Sequence, residues 1–324
     1  MKILVPLALK LKHGMSSLTN SSQAYDALIL LGATATGKTS LGVSLARDLN
    51  GEIISADSRQ VYRGLDIGSG KDLAEYTVDG ETVPYHLIDA LDLDEEFNVF
   101  EFQKRAYEII EDIQSRGKLP IIVGGTGLYL DSLMNGYRMT EVPENAALRT
   151  ELANLSQAEL VERLKSLKEG LHNSTDTHDR DRLTRAIEIE VYTQANPPEP
   201  SPELTLMVLG LQYPRPQLHE RIKTRLKARM AEGMIAEVEG LLAQGIDHDR
   251  LHMLGLEYRY VAGYLRGTIK NENDLTQKLL PAIKNFAKRQ ETWFRRMEKK
   301  GSRIHWLNSP DVKKALALVT RERL

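Results

Sequence analysis

A glycine-rich loop early in the chain carries the residues best suited to chemistry. In LILLGATATGKTSLG, residues 28–42, the spacing is G-x-x-x-x-G-K-[ST]. The main-chain N–H groups of such a loop and the N-terminus of the helix that follows favour an anion. Lys38 adds a positive charge, and the Thr39 hydroxyl can complete the ligand shell of Mg²⁺, the expected cofactor. The residues predicted to bind phosphate or diphosphate are Gly32, Ala33, Thr34, Ala35, Thr36, Gly37, Lys38 and Thr39, with Thr39 as the metal ligand.

An aspartate follows the second predicted strand, in ISADSRQVYRG. Ligands of open α/β sheets bind at the carboxyl ends of the strands, so Asp57 should lie on the same rim as the loop. A carboxylate there can accept a proton from a nucleophile beside a bound phosphate. An Asp-Ser pair is equally suited to capping the next turn, and position alone does not decide between the two. Ser58, Arg59 and Gln60 add a hydroxyl, a cation and an amide that could read the edge of a base.

The strand LPIIVGG bears on which phosphate the loop holds. Nucleotide hydrolases usually carry an apolar strand that ends in an aspartate bound to Mg²⁺. This strand ends in two glycines, although HLID, ending at Asp89, offers another candidate. The glycines indicate backbone that lies close to something bulky. They weaken the interpretation as an ATPase without removing it.

Alternating strands and helices are predicted to position these residues. Apolar runs predict strands at 27–31, 51–57, 84–92, 118–127 and 204–213, and helical spacing predicts helices at 39–51 and 100–117. This alternation predicts an α/β fold, a P-loop NTPase-like parallel sheet with helices on both faces. Residues 140–203 are rich in Glu, Leu, Lys and Arg and end in a proline-rich stretch, which predicts a helical insertion domain. The core would then be 25–139 and 204–324, preceded by a flexible extension at 1–24.

Composition excludes several classes of protein. The 324 residues include no cysteine, which rules out disulfides, cysteine-ligated zinc, iron–sulfur clusters and a cysteine nucleophile. No apolar run approaches the roughly 18 residues of a membrane span, and Lys10 and Lys12 interrupt the short apolar N-terminal segment. We expect a cytoplasmic protein without a membrane partner, and a monomer by default.

The net charge of −2 conceals a strong asymmetry. Two predicted helices, 219–233 and 279–301, are basic, whereas acidic residues cluster near 89–97 and 108–113. A charge run is usually a solvated helix face, but two basic helices kept apart from the acidic residues predict nucleic-acid binding. Lys288 and Arg289 belong to this surface, whereas Trp293 and Phe294 are expected to pack in the core.

Five motifs together resemble the tRNA dimethylallyltransferases over residues 27–307: GATATGKTSL, NGEIISADSRQVYRGLDIGSGK, HLID, GKLPIIVGGTGLYL and FAKRQETWFRR. The resemblance implies transfer of the dimethylallyl group of dimethylallyl diphosphate to N6 of adenosine 37, in tRNAs that read codons beginning with U. Diphosphate would leave in the loop, where Lys38 stabilises its charge. Asp57 would accept the proton of the amine, and Thr126 would lie against the target nucleotide.

The resemblance also implies contacts with the anticodon stem-loop. In DRDRLTRAIEIEVY, Arg182 and Arg185 are assigned to tRNA or diphosphate, the alternative being surface pairs with Asp179 or Asp181. Asp181 stands where the family often has glutamine. The residues predicted to contact tRNA are Asp57, Ser58, Arg59, Gln60, Thr126, Arg149, Asp181, Arg182, Arg185, Lys288 and Arg289.

Two segments depart from the family pattern. The common bacterial GTAKP is GSGKD here, at 68–72, which retains the lysine as Lys71, and residues 252–265 depart from A-I-G-Y-[KR]-E. Both are expected to affect tRNA selection rather than the reaction.

Three other functions are compatible with parts of this sequence. An adenylate isopentenyltransferase would act on free AMP, ADP or ATP, and would not need the basic helices. A small-molecule kinase would need a second carboxylate on Mg²⁺. A non-enzymatic RNA-binding protein would not be expected to keep Lys38, Thr39 and Asp57 together.

Overall fold

The structure is a computed structural model that describes residues 25–167 and 179–321. Its elements follow the chain as β1 (Ala27–Gly32), α1 (Lys38–Asp48), β2 (Gly51–Ala56), β3 (Thr77–Val78), β4 (Glu81–Thr82), β5 (Tyr85–His86), α2 (Val99–Ser115), β6 (Leu119–Gly124), α3 (Gly127–Met134), α4 (Ala146–Ala153), α5 (Gln157–Leu167), α6 (Arg180–Ala195), β7 (Leu206–Leu211), α7 (Arg215–Glu232), α8 (Met234–Ala243), α9 (His248–Met253), α10 (Leu256–Leu265), α11 (Glu272–Lys299), β8 (His305–Leu307) and α12 (Val312–Arg321). The extension predicted at 1–24 lies outside the described residues.

A six-stranded sheet in the order β5-β2-β6-β1-β7-β8 forms the centre, with every pair of neighbours parallel. The strands are nearly continuous apolar runs because helices bury both faces. Leu28 and Leu30 face α1 and α12, whereas Ile29 and Leu31 face α2, α3 and α11. The predicted fold class is confirmed.

The strand predicted at 84–92 is much shorter than expected. Only Tyr85 and His86 pair with β2, because Leu87 (φ 59°) and Asp89 (φ 51°) adopt left-handed backbone that cannot continue a strand. Asp89 is instead paired with the buried Lys71.

The C-terminal helices α7 to α11 form a second apolar cluster beside the carboxyl rim of the sheet. Leu218, Ile222 and Leu226 fix one face of α7 against this cluster. The long helix α11 begins at Glu272, capped by the Asn271 side chain, seven residues before the predicted start. Phe294 of α11 is buried in the core, as expected. These helices therefore form one wall above the rim on which the loop and Asp57 lie.

Helices α4, α5 and α6 build a small apolar cluster of their own, with Leu152, Leu160 and Leu183 at its centre. Glu188 of α6 lies at the edge of this cluster and is 2% exposed. None of the described helices is both long enough and apolar enough to cross a membrane.

Candidate active site

A cavity of about 910 Å³ opens at the carboxyl rim, between the sheet and helices α7, α10 and α11. It brings together residues that are far apart in the sequence. The predicted site residues that line it are Thr34, Ala35, Gly37, Lys38, Thr39, Asp57, Ser58, Arg59, Gln60, Thr126 and Arg289. Gly32, Ala33 and Thr36 lie behind its surface, in the end of β1 and the body of the loop.

The loop is held in shape by its own atoms and by one residue of α11. Gly37 takes a left-handed conformation (φ 85°) that turns the chain into α1, and the Thr36 hydroxyl donates to the Ala33 carbonyl oxygen at 2.9 Å. Gln290 accepts from the Thr34 N–H at 2.9 Å and donates to the Gly125 carbonyl oxygen at 2.8 Å. Sequence reasoning missed this role, which ties the phosphate loop to the glycine turn after β6.

The Lys38 ammonium has no carboxylate within salt-bridge distance in the described residues, and its nearest acceptor is the Ala33 carbonyl oxygen at 3.5 Å. Burial, reinforced by the charge of Arg225 and only partly opposed by Asp57, lowers the pKa of Lys38 to about 8. A bound polyanion would supply the missing negative charge. The electrostatics of this end of the cavity therefore favour a phosphate ligand.

Asp57 caps a turn and also lines the cavity. Its Oδ1 atom accepts from the main-chain N–H groups of Arg59 at 2.9 Å and Gln60 at 3.4 Å, so it caps the turn after β2. The same side chain lines the cavity. The Thr126 hydroxyl oxygen accepts from the Ser58 N–H at 3.2 Å, which joins the turns after β2 and β6. The carboxylate is thus held in a fixed position next to the phosphate loop.

Gln60 is less free than the sequence indicates. Its amide oxygen accepts from the Ser55 hydroxyl and its amide nitrogen donates to the Gly70 carbonyl oxygen, both at 2.9 Å. A base would therefore have to share or displace these partners.

Three arginines of α7 line the cavity, although the sequence placed this helix only on an outer basic surface. Arg221, Arg225 and Arg229 follow one another at four-residue intervals and so share one helix face. Arg221 donates to the Ala35 carbonyl oxygen at 2.7 Å, and Arg225 pairs with Asp72 at 2.6 Å. Burial and the charge of Arg225 lower the pKa of Arg229. The four-residue spacing indicates only that the three arginines share one face, and the packing of α7 turns that face towards the cavity.

The glycines after β6 lie against bulky groups of the protein itself. A Cβ atom on Gly124 would overlap the Ala56 carbonyl oxygen, and one on Gly125 would overlap the Gln290 amide. A Cβ atom on Gly127 would lie 2.5 Å from the Trp293 ring. The bulky groups predicted beside Gly124 and Gly125 are therefore parts of the protein itself, and internal packing accounts for Gly127 as well.

The arginines of the helical insertion are not among the residues that line the cavity. Arg149 and Arg185 both pair with the buried Glu188, at 2.7 and 3.1 Å, and Arg185 also donates to the Val142 carbonyl oxygen. Arg182 lies 3.5 Å from Asp179, the surface pair considered as an alternative, and Asp181 is exposed. Lys288 is exposed outside the cavity, whereas Arg289 lies over the Phe286 ring at the cavity wall.

A metal ion would have few protein ligands here. Within 25–167 and 179–321, no group of three or more His, Cys, Asp or Glu side chains could hold one. The Thr39 hydroxyl and the Asp57 carboxylate line the same cavity. This donor set fits Mg²⁺, which takes one or two protein oxygens and otherwise binds phosphate oxygens and water.

Comparison with known proteins agrees with this geometry. The family model for IPP transferase matches residues 60–297, and that for isopentenyl transferase matches residues 25–85. A tRNA dimethylallyltransferase 1 from Geotalea uraniireducens is 57% identical over 280 residues, covering 86% of this chain and 91% of that protein. Its counterpart from Geotalea daltonii is 53% identical over 302 residues, covering 92% and 96%.

Two solved structures have the same fold. The full-length tRNA isopentenylpyrophosphate transferase of Bacillus halodurans is 32% identical with a TM-score of 0.64, covering 92% of this chain and 98% of that one. A eukaryotic dimethylallyltransferase acting on tRNA has a TM-score of 0.72 at 23% identity, covering 91% and 76%. With a phosphate loop, an aspartate and a glycine turn meeting in one cavity, and with relatives of this similarity, the chain belongs to the IPP transferase family.

Proposed function

We propose that this protein transfers the dimethylallyl group of dimethylallyl diphosphate to N6 of adenosine 37, in tRNAs that read codons beginning with U, and releases diphosphate. One observation carries the proposal: a single cavity holds a cationic phosphate loop and, beside it, an aspartate fixed by its own turn. The names of the relatives, tRNA dimethylallyltransferases, support the same reaction.

The loop end of the cavity suits the departing group. Negative charge accumulates on the diphosphate as the allylic C–O bond breaks, and fixed donors that face it lower the barrier. Lys38, the loop N–H groups and Arg221 and Arg225 line this end. Mg²⁺, when bound at Thr39, would neutralise part of the same charge.

The Asp57 end suits the acceptor. The N6 amine attacks C1 of the donor, and the amine proton passes to the Asp57 carboxylate as the new C–N bond forms. Oδ1 of Asp57 is held by the Arg59 and Gln60 N–H groups, and the same side chain lines the cavity. Thr126, joined to the same turn, would lie against the flipped base.

Binding of the anticodon stem-loop would draw on cations of α11, both at the cavity wall and beyond it. Lys288 and Arg289 on α11 are exposed and suited to phosphate contacts. Arg182 and Arg185 stay predictions for tRNA or diphosphate contact, and Arg149 and Asp181 stay predictions for tRNA contact. The pairs of Arg149 and Arg185 with Glu188 favour a supporting role for these two. We expect a cytoplasmic monomer.

The second candidate is transfer to a free adenine nucleotide, because the phosphate loop and Asp57 would serve that acceptor as well. The test is a single-turnover assay with radiolabelled dimethylallyl diphosphate, Mg²⁺ and unmodified tRNA, with AMP and ATP as parallel acceptors. Label in tRNA alone supports the proposal, and label in AMP or ATP moves the protein to the second candidate. Hydrolysis of ATP with no label in any acceptor would overturn both.

A further inference from the structure

The segment from Asp66 to Asp72 forms a tight loop at the edge of the cavity. Gly68, Ser69 and Gly70 line the cavity wall, and Gly70 (φ 66°) and Asp72 (φ 48°) both take left-handed backbone. The loop contains GSGKD, the first of the two departures from the family pattern. No step of the proposed reaction uses it directly.

Glu237 of α8 holds this loop from behind. Its carboxylate accepts from three consecutive main-chain N–H groups, those of Asp66 at 3.2 Å, Ile67 at 2.6 Å and Gly68 at 3.0 Å. It also accepts from the Tyr258 hydroxyl at 2.8 Å, and that hydroxyl accepts from the Ser69 N–H at 3.1 Å. Glu237 is not among the residues that line the cavity. Its carboxylate thus fixes the loop backbone without reaching the ligands.

The loop in turn offers one carbonyl oxygen to two side chains of the cavity. The Gly70 oxygen accepts from the Gln60 amide at 2.9 Å and from the Arg225 guanidinium at 3.4 Å. Arg225 is further held by Asp72 of the same loop, at 2.6 Å. Gln60 follows Asp57 on the acceptor side, whereas Arg225 lies 3.4 Å from the Thr34 hydroxyl of the phosphate loop. One short segment therefore supports both sides of the site.

The two departures from the family pattern meet at this point. A Cβ atom on Gly70 would overlap the guanidinium groups of Arg229 and Arg225, so the alanine of GTAKP could not be accommodated here without moving them. A Cβ atom on Gly68 would lie 2.6 Å from the Tyr258 ring. Arg229 itself pairs with Glu257, next to Tyr258, at 3.5 Å. Segments 68–72 and 252–265 thus form a single packed unit with α7.

We propose that Glu237 is a positioning residue for group transfer: through the loop of residues 66–72 it sets Gln60 and Arg225 relative to one another, and so aligns the acceptor base with the diphosphate. The inference rests on the proposed function, because it concerns the same cavity. It assigns no ligand contact to Glu237.

The first test compares Glu237→Gln with Glu239→Gln, an exposed glutamate on the same helix. A neutral amide keeps one acceptor oxygen and turns an N–H donor towards donors of the loop. We expect the single-turnover rate at saturating donor and tRNA to fall by about tenfold to a hundredfold. The melting temperature should fall only modestly below that of Glu239→Gln, so that the protein stays folded at the assay temperature, because part of the hydrogen bonding is kept. Glu239→Gln itself should transfer at the wild-type rate. Tyr258→Phe, which removes one of four donors to the carboxylate, should give a smaller loss and covers the case in which Glu237→Gln fails to fold.

The second test separates positioning from general stability. Glu237→Gln is measured again in Gln60→Ala and Arg225→Ala backgrounds. If Glu237 acts through these residues, its effect on the rate shrinks in each background, whereas a general structural effect is additive.

The inference would be overturned if the losses of rate were additive in the double variants. It would also be overturned if both Glu237→Gln and Tyr258→Phe transferred at the wild-type rate. The proposed function would stand in that case, provided that wild-type protein labels tRNA. Absence of labelling by wild-type protein would instead remove the proposed function itself.

Discussion

Arginines gather in two regions of this protein, and the two groups have different partners. On α7, Arg221 donates to a carbonyl oxygen, and two N–H-bearing atoms of Arg229 have no hydrogen bond within the described residues. In the insertion, Arg149 and Arg185 converge on one carboxylate, that of Glu188. Burial alone would raise the pKa of Glu188, but hydrogen bonds from Arg149, the Asn145 N–H and Arg185 outweigh it and lower this pKa to about 2.

The difference shows why arginine spacing is a poor guide to ligand binding. A buried carboxylate that remains charged needs cations, so Arg149 and Arg185 stabilise the insertion. The α7 arginines line the cavity together with Lys38, and Arg225 and Arg229 each pair there with a carboxylate. Lys38 has no carboxylate within salt-bridge distance among the described residues, and a cation of this kind that faces a cavity is the better indicator of an anion site.

The largest expected effect is at the phosphate loop. Lys38→Ala removes the cation nearest the loop, and we expect the single-turnover transfer rate to fall by about a hundredfold to a thousandfold. Lys313→Ala, at an exposed lysine of α12 outside the cavity and outside both basic helices, is the matched control and should transfer normally. Equal losses of transfer rate in both variants would show that the overall positive charge of the protein, rather than the position of Lys38 in the loop, causes the effect.

Replacing one arginine in each region by alanine tests the difference between the cavity arginines and those of the insertion. Arg225→Ala should weaken diphosphate binding by about tenfold, the usual scale of a charge-assisted hydrogen bond. Arg185→Ala should leave diphosphate binding unchanged and lower the free energy of unfolding by about 1–3 kcal/mol, because Glu188 loses a partner while buried. Calorimetric titration with diphosphate and denaturant unfolding measure the two quantities. Weaker diphosphate binding in Arg185→Ala would restore that residue as a ligand.

A smaller effect is expected from pH. The pKa of Lys38 is lowered to about 8 in the free protein, and a bound polyanion would raise it. The charged lysine binds diphosphate better, so affinity should be constant well below pH 8 and fall above it, by up to about tenfold per pH unit. Titrations between about pH 7 and pH 9.5 measure this, with Lys38→Met expected to lose the dependence. An unchanged slope in Lys38→Met would assign the titration to another group.

Much of the fold could be predicted because it follows from local patterns of apolar residues in the sequence. Buried parallel strands are continuous apolar runs, so β1, β2, β6 and β7 are visible in the sequence. The end of β5 is not visible in the sequence. It depends on left-handed backbone at Leu87 and Asp89, and neither leucine nor aspartate requires that conformation.

The residues of the site fall into two similar groups, those that a local motif reveals and those that only tertiary packing brings to the cavity. The phosphate loop and Asp57 are short local motifs, and both line one cavity, as their positions in the sequence predict. Gln290 connects two turns more than 160 residues away in sequence, and Arg225 reaches the cavity only because Leu218, Ile222 and Leu226 fix the rotation of α7. Such roles depend on tertiary packing, and the charge pattern alone placed α7 on an outer surface.

The central claim is that Asp57 accepts the proton beside a bound diphosphate, and Asp57→Asn tests it most directly. Asparagine keeps an oxygen for the Arg59 and Gln60 N–H groups, so the turn should survive while the base is lost. In a single-turnover assay with saturating dimethylallyl diphosphate and tRNA, we predict a rate lower by about a hundredfold to ten-thousandfold, with diphosphate and tRNA affinities close to wild type. A wild-type rate of label transfer to tRNA in Asp57→Asn would contradict the account.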